Sequence, residues 1–167
     1  MKIQHLVFPE KMQVETEEAD LPDTPGPEEV LIENRYGLIS PGTELAMFTQ
    51  THIGFPLPDF RYAKYPFRPG YASVGRVLLV GDRVEGVSEG DFIFTRGKHA
   101  SHAILSAQRP LLKLPEGVPV EHAPFAALAQ IALTSVRLAE VRLGHTAAVF
   151  GQGLIGNFAA QLMRIAG

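Results

Sequence analysis

The chain has 167 residues, 46% of them hydrophobic and 20% charged, which suits a soluble globular fold and excludes a disordered chain. A net charge of -3 gives no reason to expect nucleic acid or an anionic membrane as partner. The absence of cysteine excludes disulfides, thiolate catalysis and Cys-ligated zinc.

The N-terminal run "MKIQHLVF" is strand-like and lacks the long apolar core of a secretory leader, and no apolar run approaches the ~20 residues of a membrane span. A cytoplasmic location is therefore expected. Glu15, Glu17, Glu18, Asp20, Glu28 and Glu29 lie in turn-rich sequence and read as a solvated acidic surface. "EEVLIENRYGLI", "YASVGRVLLVG" and "DFIFTR" are further strand-length runs, bounded by turn formers such as "PDTPGP" and "VGDRVEGVSEGD". Their spacing predicts a small antiparallel barrel or sandwich over residues 1–120. Residues 51–69, "THIGFPLPDFRYAKYPFRP", have no period and read as a long aromatic loop. Phe55, Phe60, Tyr62, Tyr65 and Phe67, with Arg61, Lys64 and Arg68, either wall a pocket for a bulky or anionic substrate or simply pack together. His52 at the loop's start reads as an exposed histidine. His99 and His102 form an H-x-x-H pair, but three-residue spacing on a strand puts them on opposite faces, so no metal is expected there.

Beyond Pro115 the pattern turns helical. "PVEHAPFAALAQIALTSVRLAEV" predicts a linking helix within residues 121–143. Residues 144–167 then supply a short apolar strand, "TAAVF", a glycine turn, and a helix from about Leu154 to Ala166. Gly151, Gly153 and Gly156 spell G-x-G-x-x-G between strand and helix, the context in which such a turn holds a dinucleotide pyrophosphate. The structural alternative is a plain strand-to-helix turn. The acidic residue that grips the adenosine ribose about 20 positions on has no counterpart in these residues. Leu154, Phe158, Leu162 and Ile165 form an apolar stripe with no sheet to cover. A partner chain or a neighbouring copy is expected over Phe158 and Leu162.

In this order of parts the whole chain resembles the N-terminal half of the medium-chain dehydrogenase/reductase superfamily, the alcohol dehydrogenase type. The segments that carry the resemblance are "EEVLIENRYGLISPGTEL", "YPFRPGYASVGRVLLVG", "LLKLPEGVPVEHAPFAALAQIALTSV" and "VRLGHTAAVFGQGLIGNFAAQLMRIAG". The resemblance implies a mainly β GroES-like partly open barrel, a linking helix, and the first β-turn-α unit of a Rossmann domain. It implies NAD or NADP as cofactor, held by Gly151, Gln152, Gly153, Leu154, Ile155 and Gly156, with Ile131 beside the nicotinamide. The family's zinc ligands align with Pro41, Tyr71 of "GYA" and Ala127, none of which is a zinc ligand, so a zinc-free member is expected.

Without metal, a hydroxyl or imidazole must polarise or protonate the reacting oxygen. Thr43 matches the family's relay hydroxyl, or is a turn threonine. Tyr71 presents a phenol at the would-be metal site, or is a turn-packing aromatic. Glu44 follows the relay hydroxyl and is either a supporting acid or a helix N-terminal charge. The expected activity is hydride transfer between nicotinamide and a carbonyl or alcohol, or an activated alkene, on a small-molecule substrate. The 167 residues alone are expected to be inactive, since the rest of the cofactor pocket lies outside them. The alternative is a non-catalytic GroES-like binding module, self-associating through its C-terminal unit.

Overall fold

The computed structural model describes residues 1–167, which divide into two compact units, Met1–Pro124 and Phe125–Gly167. In the first unit, β1 (Lys2–Val7) pairs antiparallel with β2 (Glu15–Asp20), from Lys2 opposite Asp20 to Val7 opposite Glu15. A five-stranded antiparallel sheet follows, built from β3 (Glu29–Gly37), β4 (Ser73–Val80), β5 (Phe92–Thr95), β6 (His102–Ser106) and β7 (Leu112–Lys113), in the order β6-β3-β4-β5-β7. The two sheets are joined through the approach to β6, where Ala100 bridges His5 and Ser101 N–H donates to Gln4 O at 2.9 Å.

The central strands carry β-branched residues on the inward face, as pleated packing favours. Val30, Ile32, Val77 and Ile93 are fully enclosed, with Val80, Val84, Ala103 and Leu105 packed around them. A second cluster of Phe8, Met47, Ala63 and Phe67 lies beneath the 51–69 loop and a short helix, α1 (Thr43–Phe48). These elements fit the antiparallel barrel expected from the strand-length runs. The acidic run 15–20 differs from its expected turn-rich reading: it is solvated, and it is also a strand. Its residues have low strand propensity, and β1 supplies the ladder that propensity does not.

A 3-10 turn (Val120–Phe125) ends the first unit and leads into α2 (Ala126–Leu138) of the second, on which α3 (Leu154–Ala166) packs. Regular helix starts only after Pro124, whose ring disfavours helical geometry in the residue before it. Helix α2 is thus shorter than the run of helical spacing implied. Residues 146–150 form no ladder, because the unit places no second strand beside them.

Part of the stripe on α3 packs within the chain. Ala159 is buried against Ala132 and Val136 of α2, and Phe158, Leu162 and Met163 pack around this contact. Phe125 meets Phe158 edge-on at 6.4 Å. The small residues of α2 let the two helices approach closely enough to half-bury Phe158 and Leu162 within the chain, while Leu154 and Ile165 of the same stripe stay exposed, Ile165 at 82%.

Candidate functional site

Glu44 stands one residue into α1, where an acidic side chain could simply serve the helix N-terminus. Instead its carboxylate turns inward and is 1% exposed. The amides of Ser40 and Gly70 donate to it, and His99 Nε2 lies 3.0 Å from Oε1. Those two facing atoms have no other partner. One carboxylate therefore joins three loops that are distant in sequence. Burial alone would raise the Glu44 pKa. The His99 hydrogen bond, the Ser40 amide, the His99 charge and the Gly70 amide together outweigh burial and hold it below the ordinary value.

Gly70 makes this crossing possible. Its φ is +114°, and a Cβ there would run into the His99 backbone nitrogen and lie 2.6 Å from the Lys98 carbonyl carbon. His99 N–H donates to Pro69 O at 2.9 Å, which completes the junction.

Tyr71 is half-buried beside Gly70, and Thr43 is half-buried beside Glu44 at the start of α1. The Tyr62 phenol is pushed up by burial first, then by the Glu44 charge and by Tyr71. That influence places Glu44, Tyr71 and Tyr62 in one electrostatic neighbourhood. The aromatic loop packs on itself: His52 faces Phe60 at 5.6 Å and Tyr62 at 6.1 Å, and Tyr62 meets Phe67 edge-on at 5.3 Å. His52 also accepts the Gly54 N–H at 3.0 Å, so it is a structural residue of the loop rather than a bare surface histidine. Arg68 is ion-paired with Glu17 across to β2.

The H-x-x-H pair does not act as a pair. His102 Nδ1 is 3.1 Å from Ser101 Oγ, while His99 turns to Glu44. The role of His99 was missed because nothing in its local sequence points to Glu44. The one available clue was that a lone inward carboxylate needs a partner.

The glycine turn lies in the second unit. Gly151 has φ +88°, and Gly153 precedes α3 in extended geometry with no side-chain cap on the helix. A Cβ on Gly151 or Gly153 would meet nothing within 4 Å, so the backbone of the turn is open on that side. Gly156 is enclosed instead: a Cβ there would run into the Gly151 carbonyl oxygen. Gln152, Leu154 and Ile155 are exposed around this helix start, and Ile131 on α2 is 48% exposed. Uncapped amides at the start of a 13-residue helix suit a phosphate, so this turn fits a dinucleotide pyrophosphate.

Zinc fits less well. Pro41 and Ala127 offer no donor atom, Tyr71 offers only a phenol, and no group of three His, Asp or Glu side chains comes together. The Glu44–His99 pair closes on itself.

No protein-family model matches the chain. Over 103 residues it is 34% identical to the D-guloside 3-dehydrogenase of Escherichia coli K12, a match that takes in 60% of this chain and 29% of that enzyme. The matched stretch thus spans less than a third of that enzyme's length. Among solved structures, a Clostridium scindens ATCC 35704 protein assigned to the zinc-binding dehydrogenases superposes with a TM-score of 0.83 at 19% identity, over 100% of this chain and 56% of its own. A short chain alcohol dehydrogenase of E. coli CFT073, complexed with NADH, superposes with a TM-score of 0.78 at 19% identity, over 98% of this chain and 53% of its own. At these identities the likeness is one of fold. With its GroES-like antiparallel β unit followed by a helical unit that carries the glycine turn, the chain has the fold of the alcohol dehydrogenase-type enzymes.

Proposed function

We propose that the chain belongs to a nicotinamide-dependent oxidoreductase of the alcohol dehydrogenase type that works without zinc on a carbonyl or alcohol, or on an activated alkene. The observation that carries this reading is the glycine turn: Gly151 in left-handed geometry, opening onto the uncapped N-terminus of α3. The similarity to a D-guloside 3-dehydrogenase and the fold shared with an NADH-complexed enzyme support the same reading.

In it, the backbone at Gly151, Gln152, Gly153, Leu154 and Ile155 holds the pyrophosphate, Gly156 keeps helix and turn close, and Ile131 lies beside the nicotinamide. When bound, NAD or NADP supplies the hydride acceptor or donor. Thr43 and Tyr71 are the hydroxyls that hold and orient the reacting oxygen. Glu44 is aimed at Ser40, Gly70 and His99, so it positions the loops that carry those hydroxyls rather than meeting substrate itself. Residues 1–120 serve as the catalytic domain, 121–143 as its link, and 144–167 as the opening of the cofactor domain, in a cytoplasmic enzyme.

The test is an amide NMR titration of the chain with NADH and with NADPH. Saturable shifts are expected at residues 151–156, and Gly156→Val should weaken them by at least about tenfold, equivalent to ~1.4 kcal/mol. Shifts absent with both nucleotides would overturn the cofactor assignment. Stoichiometric zinc retained after dialysis would overturn zinc independence.

The second unit also supports self-association, the one observation in favour of the binding-module reading. Leu143, Phe150 and Ile165 are almost fully exposed, Phe150 at 96%. Sedimentation velocity is expected to show mass rising toward a dimer with concentration, and Phe150→Asp should return it to monomer. Monomer mass at every concentration would remove this reading.

A further inference from the structure

His99 presents its two ring nitrogens to different surroundings. Nε2 faces the buried Glu44 carboxylate. Ser40 and Gly70 amides already donate to that carboxylate, so it is fixed as an acceptor and calls for an N–H on Nε2. In a neutral imidazole the other nitrogen then carries the lone pair. Nδ1 lies beside Gly37, an exposed residue at the end of β3, and a Cβ at Gly37 would come within 2.9 Å of it. The missing side chain at Gly37 therefore leaves Nδ1 uncovered.

The surface there is a groove of about 300 Å³, with His99, Gly37, Gln4, Asn34, Ser73 and Tyr36 among its walls. That is the low end of small-ligand sites, ~300–1,000 Å³, and suits one sugar ring rather than a larger molecule. The walls are rich in uncharged hydrogen-bonding groups. Gln4, Thr16 and Ser101 line it beside the His99 imidazole. Arg35, the one permanently charged wall residue, is paired with Glu33 at 3.1 Å, so the groove has no surplus charge for an anion. Tyr36 is 49% exposed and offers a flat apolar ring face. Polar walls, one aromatic face and no net charge match a neutral polyhydroxylated molecule better than a carboxylate, a phosphate or an apolar ligand.

We propose that this groove binds a neutral polyol of about monosaccharide size, with Glu44 holding His99 in the Nε2–H tautomer so that Nδ1 accepts a hydrogen bond from one ligand hydroxyl. The site lies wholly within the first unit, and the proposal does not depend on the nicotinamide reading.

The test uses the full 167-residue chain with ¹⁵N-labelled histidine. Two-bond ¹H–¹⁵N correlation spectra are expected to show His99 as the Nε2–H tautomer. D-glucose, D-sorbitol and methyl β-D-glucoside are then titrated separately to high concentration. At least one should shift His99 Nδ1 and the Gly37 amide saturably. Gly37 is not in left-handed geometry, so Gly37→Ala leaves the local backbone allowed while covering Nδ1. It should weaken binding by at least about tenfold, ~1.4 kcal/mol, with the unfolding midpoint retained as the folding control. His99→Gln, which removes the nitrogen without adding bulk at Gly37, should weaken it likewise. An Nδ1–H tautomer, no saturable shift with any of the three compounds, or binding unchanged in both variants would each overturn the proposal. Because none of these readouts involves residues 151–156, they can fail while the nucleotide titration succeeds, and the reverse.

Discussion

Glu44→Ala is expected to cost the β unit about 3 kcal/mol or more, because several buried donors lose one charged acceptor at once. The loss has separable parts. The amides of Ser40 and Gly70 lose their acceptor, His99 Nε2 loses its only partner, and the emptied space is closed to water. Glu44→Gln, which keeps the shape and one acceptor oxygen, should cost less, about 1–2 kcal/mol. Urea unfolding followed by circular dichroism measures both. An alanine variant within about 0.5 kcal/mol of the parent, the range of ordinary surface substitutions, would show that the pair does not hold these loops together.

The same carboxylate predicts a pH dependence with a definite sign. The folded protein holds the Glu44 pKa below its ordinary value of 4.5. Its contribution is therefore fully present above that value and is lost as pH falls through the lower folded-state pKa. The stability advantage of the parent over Glu44→Gln should shrink as the pH is lowered beneath 4.5. Asp91 is also held low, first by its bond to Lys113 and then by the Ser88 amide, and its contribution is lost as pH falls beneath its own ordinary value of 3.8. Since Asp91 is present in both proteins, it cancels from the difference.

Gly70→Ala is the second large effect, and it reaches the same junction from the backbone. At φ +114° an alanine is strained whatever the surrounding space, at about 1 kcal/mol or more. Its Cβ would also collide with the backbone at Lys98 and His99, which cannot rotate aside as a side chain would. Relief requires shifting residues 98–99, which pulls His99 from Glu44 and strains the hydrogen bond that its N–H donates to Pro69 O. A combined loss of about 3 kcal/mol or more is expected. In a double-mutant cycle with Glu44→Ala the two losses should be clearly less than additive, because both open one junction. Additivity within ~0.3–0.5 kcal/mol would show that Gly70 and Glu44 act separately.

Some structure was legible because it is local. The strand-length apolar runs in "EEVLIENRYGLI" and "YASVGRVLLVG", bounded by turn formers, became β3 and β4, since residue type and run length are written in the segment itself. The glycines at 151, 153 and 156 implied a tight turn before a helix, and that turn is present with an uncapped helix start. Other features depended on partners. The 15–20 run became a strand because β1 lies beside it, and residues 146–150 formed no ladder because nothing does. Phe158 and Leu162 of the α3 stripe pack beside α2, where Ala132 is small enough to admit Ala159, a fit that no single-helix pattern contains.

By itself the sequence determined the absence of thiol chemistry, the antiparallel β character of the first unit, the helical character after Pro115 and the glycine turn, because each depends on residue type at short spacing. Only the tertiary structure decided the surroundings of Glu44. A residue matched to a reacting site proved to be 1% exposed and bound to Ser40, Gly70 and His99, three loops brought together by the barrel's closure. The physical reason is that a carboxylate withdrawn from water must find its donors wherever the fold places them, and their distance along the chain carries no local signal.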